Sequence, residues 1–180
     1  MSVIDKAIAA ITPPESEEAR VEARAKAEAA ATPGDWLSMI LDHHRQIERA
    51  FDAVEAAATP AERIAAQKAL GVILTGHSVA EEAAVYPAMA EEHQVGHAEL
   101  AYQEQSAAKM ELGLLERLDP TSQDYLDKLG HIRGAVTHHI YSEEGTWFLQ
   151  LKQEAPAKEQ ALIAEPVSYT HLTLPTNREV

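Results

Sequence analysis

The sequence predicts an all-α protein, organised as an up-down-up-down four-helix bundle with an N-terminal helical arm. Three observations support this prediction. The 180-residue chain is rich in Ala, Glu, Leu and Gln, which favour helices. Apolar side chains recur three and four residues apart along four long segments, as on the buried face of a helix. Alternating β-branched runs and Gly-rich hairpin turns are missing until the last residues, so no sheet is expected.

The N-terminal region, residues 1–34, is predicted to be an arm that is helical in part. Residues 15–31 form helices readily and carry charges on all sides. The apolar side of this segment is mostly alanine, so we expect it to dock weakly. A Thr-Pro-Gly turn ends the arm, and Asp35 can cap the next helix.

The bundle is predicted to occupy residues 35–165. Its four helices are expected at residues 36–58, 60–86, 95–118 and 122–153. Thr59 and Glu62 form a capping box around Pro60, and Pro87 is expected to bend or end the second helix. Short loops make sequential helices antiparallel neighbours. Residues 156–165 can add a short final helix.

The last region, residues 166–180, differs in character from the rest of the chain. It is rich in threonine and shows no helical period. We expect a non-helical, strand-like tail, or a fusion or read-through scar unrelated to the domain. His171 is therefore left out of the functional argument.

The composition excludes several kinds of function. The formal net charge of −14 disfavours nucleic acid and anionic membranes as partners. Cysteine is absent, which rules out disulfides, thiolate zinc sites and iron–sulfur clusters. No run of about 18 apolar residues is available to span a membrane. The first 31 residues lack the apolar stretch of a signal peptide, so a cytoplasmic location is expected.

Two segments repeat the pattern H-x-x-x-E, with His77 and Glu81 in the second helix and His139 and Glu143 in the fourth. Residues four apart on a helix lie about 40° apart around its axis and about 6 Å apart along it. Each segment therefore points an imidazole and a carboxylate in the same direction. Mixed nitrogen and oxygen ligands suit a borderline transition metal better than Mg²⁺ or Ca²⁺.

His44 occupies a position on the apolar face of the first helix, so three of the four predicted faces place a histidine inside the bundle. A buried carboxylate without a partner costs several kcal/mol or becomes protonated. Two divalent cations would compensate the two carboxylates. Glu81 and Glu143 are the natural bridging ligands, because each carboxylate can give one oxygen to each metal.

Each of these residues also has a simpler interpretation. A single histidine on an apolar face is more often a hydrogen-bonded core residue, and one His–Glu pair is often a surface ion pair. The recurrence of the pair favours metal binding. Glu48 completes a third H-x-x-x-E with His44, and it is either a ligand or the ion-pair partner of Arg45 or Arg49. The remaining neighbours are expected to face solvent or to support the site from outside: His43, His138, Glu82 and Glu144.

The motifs resemble those of the hemerythrin-like HHE cation-binding domain family. The resemblance covers about residues 35–153. The matching stretches are His43 to Glu48 with Phe51, His77 to Glu82 followed by Tyr86-Pro87, and His138 to Glu144 with Trp147-Phe148. The resemblance implies a four-helix bundle around a non-heme di-iron centre. It also implies the metal ligands His44, His77, Glu81, His139 and Glu143.

The chain departs from the family pattern at one position of the third helix. The family usually has a further histidine there, and counting back from Lys109 places it at Gln105. Gln105 can be a weak amide-oxygen ligand, can hydrogen-bond a metal-bound water, or can leave an open position. The departure argues against reversible O₂ carriage but leaves iron binding as the expectation.

The sequence therefore predicts a non-heme di-iron protein that binds or reacts with O₂, peroxide or NO, or that senses iron or redox state. A non-enzymatic iron storage or binding module and a structural bundle with a degenerate metal site are the alternatives. Mn or Zn can replace Fe at such ligands, and Zn²⁺ would outcompete Fe²⁺ by affinity alone. Whether the protein is an enzyme, and its oligomeric state, stay open at this point.

Overall fold

The computed structural model of the chain describes residues 15–173, which are all-helical, as predicted. No strand occurs within this range. The helices are α1 (Glu17–Ala30), α2 (Trp36–Ala56), α3 (Pro60–Ala80), α4 (Tyr86–Glu91), α5 (Val95–Leu115), α6 (Gln123–Ser142), α7 (Phe148–Glu154) and α8 (Ala157–Thr173). Within the described part of the chain, none of these helices is long and apolar enough to cross a membrane.

Side-chain caps fix the start of the long helices. The Asp35 carboxylate accepts a hydrogen bond from the Ser38 amide at 2.8 Å and so begins α2. Thr59 and Glu62 form the expected capping box at α3. Ser122 caps α6 by accepting from the Tyr125 amide. These helices begin within one residue of their predicted positions.

Two π turns interrupt helices that the sequence predicts to be continuous. The first spans Glu81–Val85 and joins α3 to α4, and the second spans Glu143–Trp147 and joins α6 to α7. Each π turn begins at the glutamate of one H-x-x-x-E motif. Single π turns inside α-helices are frequent at functional sites. The bend expected at Pro87 is instead a π turn followed by a short helix that has this proline in its first turn.

A layer of buried polar side chains separates two apolar clusters. The first cluster is built around Trp36, Tyr86 and Phe148, and the second around Phe51 and Tyr125. On α2, His44 lies between Ile40 of the first cluster and Ile47 of the second. Each helix that contributes to the layer is thus anchored by apolar packing above and below it.

Helix α1 docks more firmly than the alanine-rich arm was expected to. Its Arg24 guanidinium binds the Glu48 carboxylate at 2.7 and 2.9 Å and the Glu144 carboxylate at 2.8 to 3.2 Å. Ala23 is buried, and a Cβ added at Gly145 would lie 3.4 Å from its Cβ. Helix α1 therefore packs against the second π turn at Gly145. The first 14 residues of the predicted arm lie outside the described residues.

The expectation of a non-helical tail from residue 166 is wrong for residues 166–173. Helix α8 continues through Pro166 to Thr173. Ile163 and Val167, four residues apart on one face, are both buried in the first apolar cluster. This burial outweighs the poor helix propensity of the segment, since tertiary packing supplies most helix stability. Residues 174–180 lie outside the described residues, and the origin of the tail is untested.

Candidate metal centre

Five predicted ligands converge in the polar layer. His44 comes from α2, His77 from α3, His139 from α6, and Glu81 and Glu143 open the two π turns. All five side chains are buried. Donor atoms of four of them, His44, His77, Glu81 and Glu143, lie within 4.8 Å of one another. The structure therefore brings together residues that are up to 99 positions apart in sequence, from His44 to Glu143.

The contact distances show two linked halves. His77 Nε2 lies 3.1 Å from Glu81 Oε2, and His139 Nε2 lies 3.1 Å from Glu143 Oε1. His44 Nε2 lies between the carboxylates, 3.3 Å from Glu143 Oε2 and 3.9 Å from Glu81 Oε1. Each carboxylate thus has one oxygen toward its own histidine and one toward His44. This is the arrangement that two bridging carboxylates require.

Gln105 lies in the same layer, as its predicted position requires. Its amide Nε2 donates to Glu81 Oε2 at 2.5 Å, and its Oε1 is buried without a hydrogen-bond partner among residues 15–173. Glu104, one residue earlier, reaches His139 Nδ1 at 2.8 Å instead of entering the layer. The amide therefore completes the α5 side of the site. Whether it binds a metal stays a prediction.

Tyr86 is a residue of the site that the sequence argument missed. Its hydroxyl lies 3.0 Å from Glu81 Oε2, 3.0 Å from Glu143 Oε1 and 3.2 Å from His139 Nε2. The π turn causes this placement, because the Tyr86 amide bonds to the Glu81 carbonyl five residues back. On a continuous α-helix residue 86 would lie about 140° around the axis from residue 81. The Tyr-Pro that follows the α3 motif was the available signal.

Carboxylates outside the layer hold two of the imidazole rings. Glu144 Oε1 lies 2.7 Å from His44 Nδ1, and Glu104 holds Nδ1 of His139. A carboxylate at Nδ1 fixes the ring orientation and leaves Nε2 to face the interior of the site, which is the usual support of a metal-binding histidine. Arg24 in turn holds Glu144.

Comparison with known families agrees with this geometry. The family model described as the hemerythrin HHE cation-binding domain matches residues 36–151. The chain belongs to this family. The match runs from the start of α2 into α7, and it includes every residue of the polar layer.

Individual known proteins are more distant from this HHE domain. A protein named DNA nickase from Nostoc sp. (strain PCC 7120 / SAG 25.82 / UTEX 2576) is 27% identical over 86 residues, which are 48% of this chain and 24% of the nickase. The matched stretch of this HHE domain thus spans about a quarter of that relative's length. No solved structure matches the chain significantly.

The two glutamates of the HHE domain have opposite electrostatic environments. Burial raises the pKa of Glu81 to about 8, and the charge of Glu143 adds to the effect. Burial also acts on Glu143, but the His139 and His44 imidazoles outweigh it and hold the pKa of Glu143 well below its ordinary value. In the metal-free protein these environments favour the charged form of Glu143 and the protonated form of Glu81.

The three histidines also differ in the direction of their pKa shifts. Burial lowers the pKa of His44, but hydrogen bonds to Glu143 and Glu144 raise it overall to about 9. The pKa of His139 is raised to about 10, because the Glu143 charge and the Glu104 hydrogen bond overcome burial. Burial and the nearby His44 hold the pKa of His77 well below its ordinary value. Metal binding must displace the protons, since only deprotonated ligands bind.

The residues present fit a metal. His44 Nε2 and Glu143 Oε2 face each other at 3.3 Å, and two further inward-facing oxygen atoms are buried without a hydrogen-bond partner in the described range: Glu81 Oε1 and Gln105 Oε1. Each such atom costs about 1–3 kcal/mol when left unsatisfied. A cation among them would remove this cost and neutralise the two carboxylates. The His and Glu donors suit Fe, Mn or Zn.

Other residues singled out in the sequence lie outside the cluster. Glu48 pairs with Arg24, so it is neither a ligand of the cluster nor a partner of Arg45 or Arg49. His43 is buried beside the site, with its ring 6.0 Å from that of His77. His138 is exposed and pairs with Glu15, as expected for a surface histidine.

Proposed function

We propose that this HHE domain is a non-heme di-iron protein that binds or reacts with O₂, peroxide or NO, or that senses iron or redox state. One observation carries the proposal. Histidines and carboxylates from α2, α3, α6 and both π turns meet in a buried layer, and one Glu81 oxygen there has no hydrogen-bond partner among the described residues. Membership of the cation-binding family supports it. The proposed core is the four-helix bundle formed by α2, α3–α4, α5 and α6–α7.

The side chains have distinct roles in this proposal. His44, His77 and His139 would hold the metals, and Glu81 and Glu143 would bridge them. When bound, an iron pair supplies electrons to the small molecule. Glu144 and Glu104 keep the His44 and His139 rings oriented. The apolar clusters on both sides of the layer limit the access of water, which strengthens every electrostatic interaction in the site.

The Tyr86 hydroxyl lies among the donor atoms of the His139 half of the site. As a hydroxyl it can donate a proton to one carboxylate and accept from a neighbour. Gln105, at the position of the family's further histidine, presents an unpartnered amide oxygen. We propose that the open position for the small molecule lies on the side of the site where Gln105 is.

An iron storage or binding module is the second candidate. It is favoured by the crowding of the site, where the Tyr86 hydroxyl contacts Glu143 and the Gln105 amide contacts Glu81. A structural bundle with a degenerate site is the limiting case of the same idea. In both, a loaded protein would hold its metal without reacting.

Reactivity of the loaded protein separates these proposals. The full chain loaded anaerobically with Fe²⁺ would be mixed with peroxide, O₂ or NO while absorbance and reagent consumption are followed. Fast consumption in the native chain but not in His77→Ala supports the reactive di-iron proposal. The exposed His131→Ala provides a matched control and should react like the native chain. An inert protein with full iron content supports storage instead.

Two further proposals concern partners and location. The relative from Nostoc is named a DNA nickase, but the match covers about a quarter of that protein. We propose that nucleic acid is not a partner of this chain, because a net charge of −14 repels phosphates. Retention of labelled duplex DNA at low salt would contradict this. The cytoplasmic location stays a proposal, which cell fractionation tests.

A further inference from the structure

A cavity of about 340 Å³ lies between α3, α5 and α6, on the Gln105 side of the polar layer. We call it the α5–α6 cavity. Its walls are mainly apolar and include Leu74, Ala108, Leu112, Ile132 and Val136. Three residues of the polar layer also line it: His77, Gln105 and His139. The cavity therefore connects the candidate metal centre with an apolar space between helices.

The size of the cavity exceeds what a diatomic molecule needs. A water molecule has a share of about 30 Å³ of liquid volume, and an engineered apolar cavity of about 150 Å³ binds benzene. The α5–α6 cavity is more than twice as large as the latter. Pockets that bind organic ligands begin at about 300 Å³. An organic molecule of ring size fits, whereas O₂ or NO alone would leave most of the space unfilled.

The polar atoms of the lining define the chemistry of such a molecule. Gln105 Oε1 and His77 Nδ1 are buried and have no hydrogen-bond partner in the described part of the chain. Both side chains are more than nine-tenths buried. A carbonyl oxygen accepts a hydrogen bond, and an imidazole nitrogen can donate one when the other nitrogen binds a metal. A hydroxyl group can therefore donate to the first atom or accept from the second.

The charged residues that line the cavity already have partners. Glu104 binds His139, Lys109 binds Glu82, and Glu111 binds Lys128. The cavity therefore offers no free cation to an anionic ligand and no free carboxylate to a cationic one among these residues. A charged ligand would lose its hydration without compensation.

We propose that the α5–α6 cavity binds a small uncharged organic molecule that has an apolar body and one hydroxyl head group against Gln105 and His77. This inference rests on the proposed function, because the head group would lie next to the open position of the metal centre. The cavity itself is formed by protein side chains, so binding is measurable on the metal-free protein.

Benzyl alcohol is the probe for the test. It would be titrated into the full chain, metal-free and iron-loaded, and followed by amide chemical shifts and calorimetry. We expect saturable binding in the millimolar range, as for a small ligand in a half-open pocket, with shifts at α5 and α6. Toluene, which lacks the hydroxyl, should bind several-fold more weakly, and benzoate should not bind. In Gln105→Leu the preference for benzyl alcohol over toluene should disappear.

Two variants, Ala108→Phe and Ala135→Leu, reduce the space in the cavity and so test whether it is the binding site. Ala108→Phe places a ring in the cavity and should weaken binding by about tenfold or more. Ala66→Phe is the matched control, because Ala66 is also a half-buried alanine packed on the second apolar cluster, and it should change affinity by less than about twofold. Ala135→Leu narrows the exposed rim and repeats the test with little risk to folding.

Three results would overturn the inference. They are unsaturable binding in the native chain, unchanged affinity in both Ala108→Phe and Ala135→Leu, and benzoate binding as tight as that of benzyl alcohol. Failure of iron binding would leave the titration of the metal-free protein intact, so the two proposals fail separately.

Discussion

The two H-x-x-x-E-E motifs are alike in backbone and different in surroundings. In both, a π turn begins at the first glutamate. An aromatic residue follows five positions later, Tyr86 in one motif and Phe148 in the other. Its backbone amide donates a hydrogen bond to the carbonyl of that glutamate. The Tyr86 hydroxyl contacts both carboxylates. The Phe148 ring instead stacks on the His44 ring, with 6.4 Å between the ring centroids. The same turn thus places a hydroxyl donor between the two carboxylates in one motif and an apolar ring against His44 in the other.

The second glutamates of the two motifs, Glu82 and Glu144, differ more in their surroundings than the first. Glu82 of the α3 motif pairs with Lys109 at the protein surface. Glu144 of the α6 motif is buried between His44 and Arg24. Arg24 belongs to the N-terminal helix, so it connects the α6 half to the arm. A repeated sequence pattern therefore fixes where the ligands lie, while the neighbours from other helices fix their charge.

The largest effect on the free energy of unfolding is expected when one carboxylate of each motif is removed in turn. Glu143→Gln removes the negative charge that His44 and His139 share, although Glu144 and Glu104 still contact the two imidazoles, and should lower the free energy of unfolding of the metal-free protein by about 3 kcal/mol at pH 7. Glu81→Gln replaces a carboxyl group that is already neutral, because its pKa is raised to about 8, and should cost about 1 kcal/mol or less. Urea denaturation measures both. Equal losses would show that the two halves are electrostatically alike.

The next effect is the pH dependence of metal affinity. The pKa values of Glu81, His44 and His139 are raised to about 8, 9 and 10, so all three carry protons at pH 7. These protons compete with the metal, and affinity should therefore rise with pH. With at least two protons displaced, the rise is about a hundredfold per pH unit between pH 6 and 8. Calorimetry of Zn²⁺ binding in buffers of different ionisation enthalpy counts the released protons. No proton release would contradict the assignment.

The contact between Arg24 of the arm and Glu144 also distinguishes the two motifs. Arg24→Ala frees Glu144 and, through it, the His44 ring, so we expect metal affinity to fall by about tenfold. Lys109→Ala is the matched control, since it removes the partner of Glu82 in the other motif. It should leave metal affinity unchanged and alter the free energy of unfolding by less than about 1 kcal/mol. Competition with a chromogenic chelator measures both variants. Equal affinities in the two would remove the proposed link from arm to site.

The smallest effect concerns the tyrosine. Tyr86→Phe removes a buried donor and should lower the free energy of unfolding of the metal-free protein by about 1 kcal/mol. The loss should shrink after metal loading, because the carboxylates then have the cation as partner. Tyr125→Phe is the control: its hydroxyl donates to Gln67 at 3.0 Å, away from the site. Its cost should be the same with and without metal, and a metal-dependent cost there would invalidate the comparison.

The sequence predicted those features that depend on local patterns. The capping residues Asp35 and Thr59 and the histidines on apolar faces follow from helical period and side-chain chemistry, and the structure places them as expected. The seating of Gln105 beside Glu81 likewise follows from counting along one helix.

The features that the sequence argument missed depend on contacts between distant segments or on a change of helix type. Arg24 meets Glu144 across 120 residues, and no local pattern encodes that pairing. The π turns alter the rotation of the chain after residues 81 and 143, which moved Tyr86 into the site. Helix α8 forms because Ile163 and Val167 find an apolar cluster, a contact that propensity does not reveal.

The metal content of the protein is the most direct test of the central claim, which is that a metal pair balances the buried ionisable layer. The native chain and a His77→Ala/His139→Ala variant would be incubated anaerobically with Fe²⁺, desalted and analysed for metal. We predict about two iron ions per native chain, in the manner of two-metal sites, and a large loss in the variant. A native chain that retains no more iron than the variant would contradict the account.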